Sequence, residues 1–199
     1  ELANCTGLVN LFLYQNDLSG LPDLSSLVNL QQFPVNGNRF TFEDIEPNVD
    51  SATDYAPQQN IGEQVTVELN EEDSHTLSVI CGGGNNRYQW YRNGVEIPEA
   101  NSTEYQLTDL RSQDAGEYTC EVTNTAVPEL TIHSNPVTLN VNVTSLAVTF
   151  PNGDEVLQSG SVYEISWSST GVIDSVLLEY STDNGVNWNE IIVGTPNDG

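Results

Sequence analysis

The sequence predicts a mainly β protein: a solenoid fragment, then a β-sandwich, then a second and incomplete β-sandwich. Three observations carry that prediction. Apolar residues recur at an offset of 22 near the start, period-two alternation takes over from about residue 61, and each alternating run is short and closed by turn residues.

Composition limits the partners. The 199 residues hold 29 acids against 4 arginines (Arg39, Arg87, Arg92 and Arg111) and no lysine, a net charge of −25. Such a surface repels phosphate backbones and anionic membranes, which argues against nucleic acid as a partner. Acids can instead gather calcium, which takes several oxygen ligands. Asp44, Glu46 and Asp50 are the candidates, although no spaced D-x-D-x-D-G loop is present. No apolar run approaches the roughly 20 residues that span a membrane. The stretch "ELANCTGLVN" has no basic leader, so any export signal is expected outside this sequence.

Laid on itself at the offset of 22, the chain places Cys5, Leu8, Leu11, Leu13, Asn16 and Leu18 on Leu27, Leu30, Phe33, Val35, Asn38 and Phe40. This pattern resembles leucine-rich repeats. The resemblance implies that the L-x-L pair points inward and that Asn16 and Asn38 are structural residues satisfying backbone groups in the next turn. Cys5, in the register of Leu27, is expected to be a buried free thiol acting as a small hydrophobe. Roughly three or more repeats are needed to bury a solenoid core, so the chain is expected to start partway through a longer array. The repeats and their C-terminal cap occupy residues 1–47. Thr41 can cap a short helix whose first turn carries Glu43 and Asp44, and Pro47 stops it. The polar, aperiodic stretch "NVDSATDYAPQQ" then reads as a linker over 48–60.

Residues 61–143 hold "QVTVEL", "HTLSVIC", "RYQWYRNG", "EYQLTDL", "GEYTCEV" and "PVTLNV", separated by turns. Cys81, Trp90 and the run Asp114-Ala115-Gly116-x-Tyr118-x-Cys120 make this segment resemble immunoglobulin-like domains. The resemblance implies that Tyr118 turns inward, its hydroxyl bonded to upstream backbone. It also implies a Cys81–Cys120 disulfide with Trp90 packed on it. Such a bridge closes a loop of about 40 residues and requires an oxidising compartment. Only nine positions separate Cys81 from Trp90, so the loops at that end should be short and no large antibody-like surface is expected.

The last segment, 144–199, follows with almost no linker. "SVYEISWSS", "DSVLLEYST" and "VNWNEIIV" alternate as strands. With Pro151, Gly153, Ile165 and Trp167 it resembles the fibronectin-like modules of secreted bacterial proteins, here a truncated β-sandwich.

Little in the chain invites catalysis. "STDNGVNW", Ser181 to Trp188, fits the Asp-box of sialidase-type propellers, where the box is a structural hairpin remote from the chemistry; Asn184-Gly185 is a hairpin signal in its own right. His75 and His133 lie in strand-like runs without a nucleophile beside them. "CGGGNN" reads as a turn rather than a phosphate cradle. The N-glycosylation patterns at Asn4, Asn101 and Asn142 read as chance matches. The expectation is therefore a non-enzyme with no certain cofactor, calcium being the one candidate. In series, the three modules resemble the giant cell-surface proteins that marine gliding bacteria export by the type IX route. That implies a secreted structural or adhesive segment contacting other protein modules, cell-surface glycans, or copies of itself in an oligomer or filament. The alternative is a spacer or targeting appendage of a secreted hydrolase whose catalytic domain lies elsewhere.

Overall fold

The computed structural model describes residues 2–153 and 155–197. The chain divides into two compact units, Glu1–Asn140 and Val141–Gly199.

The first unit begins with three stacked, parallel rungs of extended chain. The amides of Leu11, Leu13 and Gln15 donate to the carbonyls of Gln32, Pro34 and Asn36 at 2.9, 3.1 and 2.8 Å. Those of Val35 and Gly37 donate in turn to Asp54 and Pro57, both at 2.7 Å. Parallel bridges pair Asn10 with Gln32 and Pro34 with Asp54. Alternation along the second rung sends Phe33 and Val35 inward, into a core shared with Leu21, Leu24, Leu27, Phe40, Phe42 and Ile45.

Two expectations are corrected here. Residues 48–60 are not a free linker, because Thr53 to Gln59 form the third rung at an offset nearer 20, held by backbone pairing rather than by leucines. Cys5 is exposed while Leu27 is buried. The turn carrying Leu27 is bonded on one side to the Thr6 carbonyl through Asn29 Nδ2 and on the other to Asn48 Oδ1 through the Leu24 amide, at 2.8 and 2.9 Å.

A four-residue helix α1 (Phe42–Ile45) follows, with Thr41 as N-cap; the Thr41 amide donates to Asp44 Oδ2 at 2.9 Å. A 3-10 turn, Glu46–Asn48, carries Pro47 in its first turn, where a missing amide costs nothing.

Eight strands form the sandwich: β1 (Val65–Asn70), β2 (His75–Ser78), β3 (Asn86–Arg92), β4 (Val95–Glu96), β5 (Glu104–Leu107), β6 (Gly116–Asn124), β7 (Thr131–His133) and β8 (Val137–Asn142). One sheet runs β1-β8-β6-β3-β4 with β7 also on β6, and β2-β5 forms the other. Period-two burial along β6 places Tyr118, Cys120, Val122 and Asn124 inside, while Glu117 and Thr123 face solvent. Trp90 stands opposite Cys120 on β3, and Leu77, Leu107 and Leu139 complete the packing from the other strands. Burying each of these large apolar side chains contributes about 1.5–3 kcal/mol.

In the second unit β9 (Ser145–Phe150) pairs with β10 (Ser166–Thr170), and β11 (Ser175–Tyr180) with β12 (Asn189–Pro196), as two separate antiparallel ladders. Val176 is buried there, while Leu146, Val148, Leu177, Ile191 and Val193 are exposed. Asn184 (φ 63°) and Gly185 (φ 85°) occupy the left-handed region at the β11–β12 connection, which suits an Asn-Gly pair. Ser181 Oγ accepts from the Gly185 amide, and Asp183 from the Asn187 amide, each at 2.8 Å. No helix among the described residues is long and apolar enough to cross a membrane.

Candidate functional site at the coil and sandwich junction

The rungs are tied by a column of amide side chains. Asn38, fully buried, donates from Nδ2 to the carbonyls of Val35 (2.9 Å) and, in the first rung, Leu13 (2.8 Å), and accepts from the Leu18 amide at 3.2 Å. Asn16 makes the equivalent local bonds to Leu13 and Tyr14 but is exposed. The third member is Gln58, which donates to Tyr55 and Val35 and accepts from the Asn38 amide. Sequence reasoning missed it. The available signal was an amide 20 positions after Asn38, with Tyr55 standing in for Val35.

The three acids considered for calcium do not converge. Asp44 accepts from the Leu21 amide through Oδ1 and from Thr41 through Oδ2, both at 2.9 Å. Glu46 accepts from Asn124 Nδ2 at 2.6 Å and from the Gly84 amide at 3.1 Å. Asp50 is exposed. The lone pairs of Asp44 and Glu46 are thus taken by N–H donors in different places, and among the described residues no group of three or more His, Cys, Asp or Glu side chains is placed to hold a metal ion.

Those bonds from Glu46 cross from the coil stack to the sandwich, and they have company. At Gly83 (φ 120°) a Cβ would lie 2.5 Å from Phe42 Cβ, so the stretch read as a plain turn is a close-approach surface for α1. Asn124, only 3% exposed, is also bonded to Asn86 Oδ1 at 2.8 Å. Burial, and then the Glu129 carboxylate, raise the Tyr55 hydroxyl above its ordinary range. Next along the chain, Ile61 exchanges backbone bonds with His133 (2.9 Å) and Asn135 (2.7 Å).

Inside the sandwich, the Tyr118 hydroxyl donates to the Asp114 carbonyl at 2.7 Å, and Trp90 Nε1 donates to the Ser102 carbonyl at 2.9 Å. The rings of Trp90, Tyr105 and Tyr118 follow one another at 6.3 and 6.2 Å. Cys81 and Cys120 are free thiols in this structure, where the resemblance implied a bridge. Each sulfur is directed at a neighbouring carbonyl, Cys81 to Gly82 at 3.7 Å and Cys120 to Glu121 at 3.6 Å. Burial pushes both thiols up to about 11, and the nearby Cys81 adds to the shift of Cys120. At neutral pH they are therefore protonated and poor nucleophiles.

On the outer face of the same sheet Glu121 accepts from the Tyr91 hydroxyl at 2.9 Å and lies 3.7 Å from His133 Nδ1. Hydrogen bonding to Glu121 raises the Tyr91 hydroxyl. The described residues leave no buried side-chain nitrogen or oxygen without a partner.

With two facing sheets, an inward tyrosine and a tryptophan opposite Cys120, the sandwich has a recognisable plan, and residues 57–124 match the immunoglobulin domain family. The match covers this segment alone, about a third of the chain. Among solved structures the chain is similar to DIP-gamma IG1+IG2, with 20% identity, TM-score 0.30 and coverage of 39% of this chain and 44% of that one. It is also similar to the extracellular domains 3–5 of Drosophila OTK, with 15% identity, TM-score 0.36 and coverage of 60% and 46%. A third similar structure comes from work on the cell-adhesive interactions of VGSC beta subunits, with 17% identity, TM-score 0.33 and coverage of 43% and 98%. The chain thus spans less than half the length of the first two. No curated protein matches it.

Proposed function

We propose that this chain is a non-enzymatic adhesive segment of a large secreted surface protein of the multi-domain bacterial adhesin type, in which a leucine-rich repeat solenoid is closed by the immunoglobulin-like domain. The observation that carries this reading is the junction. Glu46 spans from the coil stack to Asn124 and Gly84, so the two folded parts meet through a directed polar contact. A segment built this way holds contact surfaces in fixed relation, which suits adhesion. The fibronectin-like unit is a further module of the same kind, and in an oxidising exterior Cys81 and Cys120 close to a disulfide.

The test is adhesion itself. Beads coated with the protein should clump with one another or attach to cell surfaces at an ionic strength of about 0.15 M, where the repulsion of like surfaces is screened within about 8 Å. Coated beads that neither clump nor attach more than uncoated ones would refute the adhesive role.

A further inference from the structure

One face of the coil stack carries aromatic side chains into solvent. In the first rung Leu11 and Leu13 alternate with Asn10, Phe12 and Tyr14, which lie on the opposite face. Phe12 is 56% exposed and Tyr14 46% exposed, with their rings edge to face at 6.3 Å. Parallel pairing carries this face across the rungs, since Asn10 bridges to Gln32 and Pro34 to Asp54. Phe12 and Tyr14 therefore border Pro34 and Asn36, and exposed Asp54 lies one rung further.

The charge of the coil segment is almost all negative. Residues 1–60 hold eight carboxylates and a single guanidinium, Arg39, which lies beyond the paired rungs at 3.8 Å from Asp17. A cation approaching this face is drawn twice, by the field of the acids and by the ring quadrupoles. A neutral ligand gains only the ring contact, and an anion is repelled.

We propose that the face built from Phe12, Tyr14, Pro34 and Asp54 binds an extended, arginine- or lysine-bearing segment of a partner protein. This assignment rests on the adhesive reading and specifies the chemistry of the partner. Neighbouring rungs stand about 4.8 Å apart, so three or four extended residues reach from the rings of the first rung to the carboxylate of the third. One basic side chain lies over the rings, and a second pairs with Asp54.

The probe is a fluorescein-labelled peptide of alternating arginine and serine, titrated with the whole protein and followed by fluorescence anisotropy at about 0.15 M salt. Binding should saturate, and should weaken at least about fivefold in the Phe12→Ala/Tyr14→Ala double variant. Asp54→Asn should weaken it about twofold, while Asp23→Asn, at an exposed acid off this face, should bind as the parent does. Tyr14→Ala alone serves if the double variant fails to melt like the parent. Equal affinity in parent and aromatic variants would overturn the proposal, since bulk charge alone would then explain binding. So would tighter binding of a labelled neutral oligosaccharide than of the peptide. Failure of the parent protein to bind the peptide while coated beads still adhere refutes this site and leaves the adhesive reading standing.

Discussion

Replacing Glu46 with alanine removes the acceptor that joins the coil stack to the immunoglobulin-like domain. Its 2.6 Å bond from Asn124 links a carboxylate to an almost fully buried amide, and the 3.1 Å bond from Gly84 lies at an exposed position. A hydrogen bond to a charged group contributes about 1.5–3 kcal/mol. After the substitution Asn124 keeps its bond to Asn86 Oδ1, and the Gly84 amide regains water, so most of the loss comes from the first bond. The expected cost is about 2–3 kcal/mol, or a drop of about 5–10 °C in Tm for a cooperative unit of this size. Differential scanning calorimetry of parent and Glu46→Ala at pH 7 measures it, and Glu46→Gln, which keeps an acceptor, should fall between them. A shift below about 1 °C, or parent scans in which the coil and the sandwich melt separately, would refute the claim that the junction couples them.

Asn38→Ala should cost about 3 kcal/mol or more, because it strands several buried backbone groups, whereas Asn16→Ala at its exposed counterpart should cost under about 1 kcal/mol; urea unfolding of both variants checks the contrast. The Asp183 carboxylate, held down to about 2 by Asn187 and Ser181, supports the folded hairpin above its ordinary value near 3.8 and loses that support as pH falls toward 2, which NMR titration of the Asn187 amide should follow. In reduced protein iodoacetamide should label exposed Cys5 first, while Cys81 and Cys120 stay protected until pH rises toward about 11. Their folded-state stabilisation, present below the ordinary thiol value near 9, should fade over the same rise, as read by Tm against pH. After oxidation, mass spectrometry of the unreduced protein should find Cys81 linked to Cys120, and a link to Cys5 would contradict the proposed pairing.

The parts legible in the sequence are those that repeat or alternate. Leu11, Leu13, Phe33 and Val35 reveal their rungs because two inward apolar residues recur at one spacing, and β6 reveals itself because Tyr118, Cys120 and Val122 alternate with polar neighbours. The third rung was not legible. Its inward side chains are not leucines, its spacing shortens, and its stability comes from pairing with Val35 and Gly37 and from the contact of Tyr55 with the sandwich. The acids misled for a related reason. Asp44, Glu46 and Asp50 cluster in sequence, yet one bends back to Leu21, one reaches across to Asn124 and one faces solvent, and only the fold decides which donor each carboxylate meets. The glycines at 82–84 look like a turn, and their need to let α1 approach arises between segments 40 residues apart.

The third rung also bears on how the chain carries tension. If residues 48–60 hung free, a pull between the coils and the immunoglobulin-like domain would first draw out about 45 Å of slack, at 3.3–3.6 Å per residue, before either folded part felt force. Because Thr53 to Gln59 are bonded to the second rung and Ile61 is bonded to His133 and Asn135, that slack is absent. Load passes directly into backbone ladders and the Glu46 contact. A force-extension trace would then rise without a soft lead-in, and the junction would work as a weld rather than as a tether.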